Sequence, residues 1–291
     1  MKALNKRAFL YVISDNQSYL EYAFIEKRTI MESLIGKKLG EIKGFSKFDF
    51  FVKFVQSKFA NDIVEGKLFM NNLQYYIDLE EDTRKKGQGD RFEGAEVYKG
   101  DLFIMMGEDV IGTSEGYVTI KDINVGKVAV FCCTRFTEND FVIVDTDSNQ
   151  ETITVNLDIN ENDKNHIIEN FGDKAVLLPN RFPNIIKEAA REQGIIIANK
   201  DVKYVNYNVY DERRREAFET GHQDIVFYKD DFFKSQKEYR IAITDRLVEK
   251  NTTFTVGKLN DFNSIRDTKE FMNDFTMKIT SKLKRRIELN K

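Results

Sequence analysis

Gln236, Glu238 and Arg240 alternate with Lys237, Tyr239 and Ile241 in the run Tyr-Lys-Asp-Asp-Phe-Phe-Lys-Ser-Gln-Lys-Glu-Tyr-Arg-Ile-Ala, residues 228–242. Side chains of a strand point alternately to its two faces, so this spacing predicts an amide, a carboxylate and a guanidinium on a single surface, with Tyr239 and Ile241 on the other. A carboxylate held on a rigid element between an amide and a cation can orient a sugar hydroxyl or stabilise positive charge developing on a sugar ring. The plainer reading of the same alternation is a solvated charged face, since charged residues are mostly exposed.

Other residues could contribute to such a site. Tyr75 and Tyr76 sit in a stretch that reads as a helix, where the plainer role is a pair with one ring in the core. A polar glycine-rich loop follows, Lys86-Gly-Gln-Gly-Asp-Arg-Phe-Glu-Gly94, offering Asp90, Arg91 and Glu93. Its plainer reading is a solvated ion pair of at most about 1 kcal/mol. Lys53 interrupts an apolar run, Phe50-Phe-Val-Lys-Phe-Val55. A buried, unpaired ammonium is costly, so Lys53 there calls for a carboxylate or a ligand phosphate.

Several chemistries are excluded. No Gly-x-x-x-x-Gly-Lys-Ser/Thr loop occurs, and Gly87-x-Gly89 follows a helix rather than a strand, so neither phosphate-loop nor dinucleotide fingerprint is present. There is no Gly-x-Ser-x-Gly elbow. Cys132 and Cys133 are neighbours, which an ordinary disulfide cannot join; in an extended segment they point to opposite faces and read as buried thiols. With only these cysteines and two isolated histidines, His166 and His222, no metal-ligand spacing exists.

The elements that must position these groups belong to a globular chain of 291 residues with 24 Phe and 12 Tyr. Its 45 basic and 48 acidic residues leave a net charge of −3, too little basic excess to hold nucleic acid by counterion release alone. The apolar run 8–13 is shorter than a signal-peptide core or a membrane span, so a cytoplasmic protein without a membrane partner is expected. Residues 1–47, with a helical pattern over 21–39 and glycines 36, 40 and 44, read as an N-terminal helical extension able to meet a protein partner. Residues 48–291 read as a single α+β domain.

Within that domain, 50–55 reads as a buried strand and Ser57 as the cap of a helix ending at Gly66. A strand at 67–70 and a helix at 71–80 come next. Strands are expected at 97–106, 116–120, 127–136, 141–145, 151–156, 174–178, 202–209 and 254–258, and helices at 162–170 and 183–193. A closing helix at 269–289 is predicted from Phe271, Phe275, Ile279, Leu283 and Ile287 at intervals of four. Without a regular βαβ rhythm, the pattern predicts a mixed or mostly antiparallel sheet core with flanking helices.

Three segments taken together carry a resemblance: the strand–helix–strand from Val52-Lys53-Phe54 through Gly66 to Phe69, the tyrosine pair with the 89–93 loop, and Gln236-Lys-Glu-Tyr-Arg240. In these the chain resembles the ADP-ribosyltransferase-like fold, over 48–93 and 228–242. The resemblance implies NAD as substrate, no metal, and transfer to a macromolecular acceptor, protein or nucleic acid, as in a bacterial toxin or phage-defence effector. It implies Glu238 as the group that stabilises the ribosyl cation and Gln236 as the one that orients the acceptor. It further implies Tyr75 or Tyr76 as the ring stacked on nicotinamide, and Arg240 as a phosphate partner or a clamp on Glu238. Lys53 stands where the family carries His or Arg. Two other readings remain open: a non-catalytic interaction protein of a phage or mobile element, and an RNA- or nucleotide-binding module using Lys284-Arg285-Arg286.

Overall fold

The computed structural model describes residues 29–42, 45, 48–83, 87–149, 152–221, 223–260 and 264–280. Its elements in chain order begin with β1 (Asp49–Val55), α1 (Ser57–Val64), β2 (Lys67–Asn72) and α2 (Leu73–Thr83). A long hairpin, β3 (Ala95–Met106) and β4 (Asp109–Lys121), and a short helix, α3 (Ile123–Gly126), lead into β5 (Ala129–Thr137). Then come β6 (Phe141–Asp147), β7 (Thr152–Leu157), α4 (Glu161–Asn170), β8 (Lys174–Leu177), α5 (Phe182–Glu192), β9 (Ile197–Asp201), β10 (Lys203–Val205), α6 (Glu212–Glu219) and β11 (Tyr228–Asp230). The last described elements are β12 (Glu238–Ile243), β13 (Asn251–Thr255), β14 (Ile265–Asp267), α7 (Thr268–Asp274) and β15 (Thr276–Thr280).

The protein is α+β with a mostly antiparallel sheet. The main sheet runs β13-β2-β5-β1-β8-β14, with β12 and then β9 on the other edge of β5. β5 is therefore shared. β12 pairs along Val130–Thr134, while the opposite edge is divided, β2 pairing at Ala129 and Val130 and β1 only from Thr134 to Thr137. Residues 131–133 of β5 pair with neither β1 nor β2 among the described residues. The sheet is thus split where β1 and β2 part, and this split positions the site.

Strict alternation along β5 explains the layers. Ala129, Phe131 and Cys133 enter one core with α1 and α5, whereas Val130, Cys132 and Phe136 face the other side. α5 suits the first core because Phe182, Ile186, Ala189 and Ala190 fall on a single helical stripe, and Pro183 sits in its first turn, where no amide partner is lost. The second face carries two separate apolar clusters. One holds Phe54, Phe136, Phe141 and Phe271; the other holds Leu73, Ile77, Val130, Phe227 and Ala242. Polar side chains fill the seam between them.

Some sequence expectations are corrected. Helix α1 is not capped by the Ser57 side chain; the Ser57 amide donates to Asp173 Oδ1 at 2.8 Å. The strand expected at 202–209 shortens to β10, and β9 and α6 had not been anticipated. Of the helix expected at 21–39, residues 21–28 lie outside the described residues; 29–32 are helical and the chain turns at Gly36 (φ 86). Leu39, Met31 and Leu34 pack on the Phe136 cluster. The closing helix is overturned: α7 ends at Asp274, and β15 pairs with β7 instead, while 281–291 lie outside the described residues. A spacing of four puts Phe275 and Ile279 on one face of a strand as readily as of a helix, and Thr276-Met-Lys-Ile-Thr280 alternates with period two.

The β3–β4 hairpin pairs with no other strand among the described residues, and its outer half leaves Phe103, Ile104, Met106 and Ile111 exposed.

Candidate functional site

Residues 231–236 form a 3-10 turn opened by Asp230, whose carboxylate accepts from the Phe232 amide at 3.1 Å. Lys237 then adopts a left-handed conformation (φ 45), and β12 starts at Glu238. Gln236 is therefore not on the strand, yet the reversal still delivers its side chain to the same surface as Glu238 and Arg240. Tyr239 and Ile241 enter the opposite core. The solvated-face reading fails, because Gln236, Glu238 and Arg240 are all buried.

The surface they form is a closed ring of alternating charge. Arg240 Nε donates to Glu238 Oε1 at 2.6 Å and Arg240 Nη2 to Glu93 Oε1 at 2.8 Å. Lys229 Nζ closes the ring, 3.2 Å from Glu238 Oε2 and 3.4 Å from Glu93 Oε1. Lys229 also donates to Gln236 Oε1 and to the Gln88 carbonyl, both at 2.8 Å, and Arg240 donates to the Val226 carbonyl. Exposure is 1% for Glu93, 1% for Arg240, 2% for Lys229 and 7% for Glu238. Four charges that sum to zero share the interior, which offsets desolvation costs that each would otherwise bear alone.

The electrostatic consequences follow from burial and pairing. Burial alone would raise the Glu238 pKa, but Arg240 and Lys229 outweigh it and hold the carboxyl well below the usual carboxylate range. Burial opposes charge on Lys229 and Arg240, yet Glu238 and Glu93 shift both upward. Tyr76 is pushed up by burial and then by Cys132 and Glu238, and burial pushes the Cys132 thiol to about 12, with Glu238 adding to it. The site thus favours the ionised form of Glu238 and the neutral forms of the Tyr76 phenol and Cys132 thiol. Glu93 Oε2 is buried and has no hydrogen-bond partner among the described residues.

A strap over residues 87–90 covers the ring. The Gly87 carbonyl accepts from Gln236 Nε2 at 2.8 Å, and Gln88 Nε2 donates to the Asn170 carbonyl at 2.6 Å. Gly89 is required by close approach, since a Cβ there would overlap the Tyr76 carbonyl oxygen. Asp90 Oδ1 accepts from the Phe92 amide and Oδ2 from the Asp230 amide, both at 2.9 Å, which ties the strap to β11. Burial, with Glu93 nearby, raises the Asp90 pKa to about 6. The expected solvated loop pair is therefore replaced by two buried acids, Asp90 and Glu93.

Beside Glu238 lies a cavity of about 70 Å³, lined by Lys53, Tyr76, Cys132, Thr134, Gln236 and Glu238 among others. That is room for about two water molecules. Lys53 has no carboxylate partner among the described residues. Its Nζ donates to the Cys132 carbonyl at 2.6 Å, in the gap between β1 and β2, and lies 4.7 Å from the centre of the Phe131 ring.

The structure therefore brings Lys53, Tyr76, Gln236, Glu238 and Arg240 to one cavity, with Glu93 and Asp90 behind it. Two candidates fall elsewhere. Tyr75 is 47% exposed and meets Tyr76 edge-on at 5.2 Å, and Arg91 faces a separate cleft. Lys229 was missed because a single lysine in a short polar segment has no pattern; only the parallel β10–β11 pairing brings it inward. Tyr204, whose hydroxyl accepts from the Glu238 amide at 2.8 Å, was likewise missed. Cys132 and Cys133 do point to opposite faces, Cys133 into the α1–α5 core. His166 does not line the Glu238 cavity but packs behind it, against Phe232 and against Phe171, which does line it; His222 and Lys284-Arg285-Arg286 lie outside the described residues. No helix among the described residues is long and apolar enough to cross a membrane. No family model, curated protein or solved structure matches this chain.

Proposed function

We propose that the protein is an ADP-ribosyltransferase-like enzyme that takes NAD as substrate and modifies a macromolecule, with Glu238 as its catalytic carboxylate. The observation that carries this reading is the meeting of Lys53, Tyr76 and Glu238, from three distant segments, on one cavity at the split of the sheet. The nicotinamide–ribose C–N bond breaks with its electron pair leaving on nicotinamide. The acceptor's nucleophile then bonds to the ribose C1′ and gives up its proton to water. Glu238, kept ionised by Arg240 and Lys229, stabilises the positive charge on the sugar. Gln236 orients the acceptor. Lys53, which has no carboxylate partner among the described residues, attracts the pyrophosphate. Tyr76 supplies the ring against nicotinamide.

The cavity is smaller than nicotinamide, so NAD enters by displacing the 87–90 strap from Lys229 and Gln236. Transfer of label from NAD to protein or nucleic acid in a lysate tests the reading. Glu238→Gln is expected to lower transfer about 100-fold or more, and Gln236→Ala, which leaves the charge ring intact, to lower it less. A folded wild-type protein that neither binds nor consumes NAD would end the enzymatic reading.

A second reading has its own observation. Both Glu238 oxygens are already occupied by cations, and a closed ring of this kind also serves a non-catalytic interaction protein that keeps the scaffold without turnover. Folded protein that is inert toward NAD favours it.

A further inference from the structure

Residues 90–93 form a wall with two sides. Asp90 and Glu93 turn toward the charge ring, while Arg91 and Phe92 turn the other way into a cleft of about 750 Å³ that shares no lining residue with the Glu238 cavity. This second cleft lies between the C-terminal half of α2 and strand β4. Its walls include Glu80, Glu81, Arg91, Phe92, Tyr117 and Lys121. It is a half-open groove and not an enclosed pocket.

Arg91 is the unusual group. Its guanidinium lies over the Phe92 ring at 4.7 Å and over the Tyr117 ring at 5.5 Å, and those rings meet edge-on at 5.3 Å. Nε is buried with no hydrogen-bond partner, and the guanidinium makes no ion pair among the described residues. The two acids of the cleft meet partners on its own walls and not the Arg91 guanidinium. Glu80 Oε2 accepts from the backbone amide of Arg91 at 2.9 Å, and Glu81 faces Lys121 at 3.6 Å. A guanidinium fixed on two rings, with its N–H edge unused, is arranged to bind an oxyanion by two parallel hydrogen bonds. Tyr117 is about half exposed and offers a ring face beside it.

We infer that this cleft binds a phosphate monoester carrying a planar ring, the phosphate on Arg91 with Lys121 nearby and the ring against Tyr117. The inference does not rest on NAD turnover at Glu238, because its binding residues are different.

Isothermal titration of the full chain with inorganic phosphate, phenyl phosphate and adenosine monophosphate tests it. The two ring-bearing esters are expected to bind more tightly than inorganic phosphate, and their ranking tells an aryl from a nucleoside phosphate. Arg91→Lys keeps the charge but loses the fork, and is expected to weaken all three by about tenfold. Tyr117→Ala removes both the stacking face and one of the two rings that hold Arg91, and is expected to weaken the esters by a larger factor than inorganic phosphate. Arg91→Lys also loses the guanidinium's contact with the Phe92 and Tyr117 rings, so thermal melting is recorded beside each titration. Weakened binding by a variant that is still folded at the titration temperature separates lost binding from lost structure. Equal affinities for wild type and Arg91→Lys, or no binding of either ester at millimolar concentration, would overturn the inference. So would ester binding that is lost in Lys53→Ala and kept in Arg91→Lys, because the ligand would then occupy the Glu238 cavity.

Discussion

Arg240 Nη2 lies 2.8 Å from Glu93 Oε1 although 147 positions separate the two residues and each is 1% exposed. An ion pair so far from water persists only because Glu238 and Lys229 complete the set. Deleting one member strands charge in a low-dielectric interior, which costs far more than the pair contributes net.

Arg240→Met leaves Glu93 and Glu238 with Lys229 alone. A loss of about 3–5 kcal/mol is expected by urea denaturation. The double variant Lys229→Met with Glu93→Gln removes one charge of each sign and should cost less than the sum of the two single changes. Additive losses would mean that the four groups do not act together.

The acids of the site pull stability in opposite directions with pH. Asp90 has a raised pKa in the folded state, about 6 against an ordinary value near 3.9. Its contribution is therefore complete below the ordinary aspartate range and is lost as pH rises through about 6. The swing is roughly 3 kcal/mol. Glu238, with a lowered pKa, contributes fully above the ordinary glutamate range and loses that contribution only in strong acid. Denaturation midpoints measured across pH 4 to 7 should fall with rising pH in the wild type, and Asp90→Asn should remove that component.

The tyrosine pair separates by burial. Tyr75→Ala is expected to change stability by at most about 0.5 kcal/mol, and Tyr76→Ala to cost about 3–5 kcal/mol. If NAD stacks at the cavity, Tyr76→Phe retains it; dependence on Tyr75 instead would move the stacking ring to the surface.

Gly89 carries a steric prediction. A methyl group there meets the Tyr76 carbonyl, so Gly89→Ala must shift the strap or α2. A loss of about 2 kcal/mol or more is expected, with faster amide exchange at Gly87 and Gln88.

Lys53→Met removes the donor to the Cys132 carbonyl in the gap between β1 and β2. About 1–3 kcal/mol is expected for the unmet carbonyl. Restored stability in Lys53→Arg, whose longer fork can still reach that oxygen, would identify the hydrogen bond and not the stem as the cause.

Local pattern was sufficient for much of this protein. The apolar run at 50–55, Gly66 after α1, the stripe on α5 and the alternation of Cys132 with Cys133 each follow from a side-chain period along one element, which is a property of adjacent residues. The pairing of Glu238 with Arg240 on one face is of the same kind. Tertiary structure decided what those faces meet. Gln236 reaches the site from a 3-10 turn through the left-handed Lys237, and Lys229 enters through a parallel pairing of two three-residue strands that no period announces. Asp90 and Glu93 look like solvated loop acids until the strap folds onto β11. The 269–289 repeat failed because an interval of four fits both helix and strand, and the open edge of β7 selected the strand. Periodicity fixes which residues share a face, whereas the charge ring closes only when Glu93, more than a hundred positions away, meets Arg240 and Lys229, and only the folded chain brings these together.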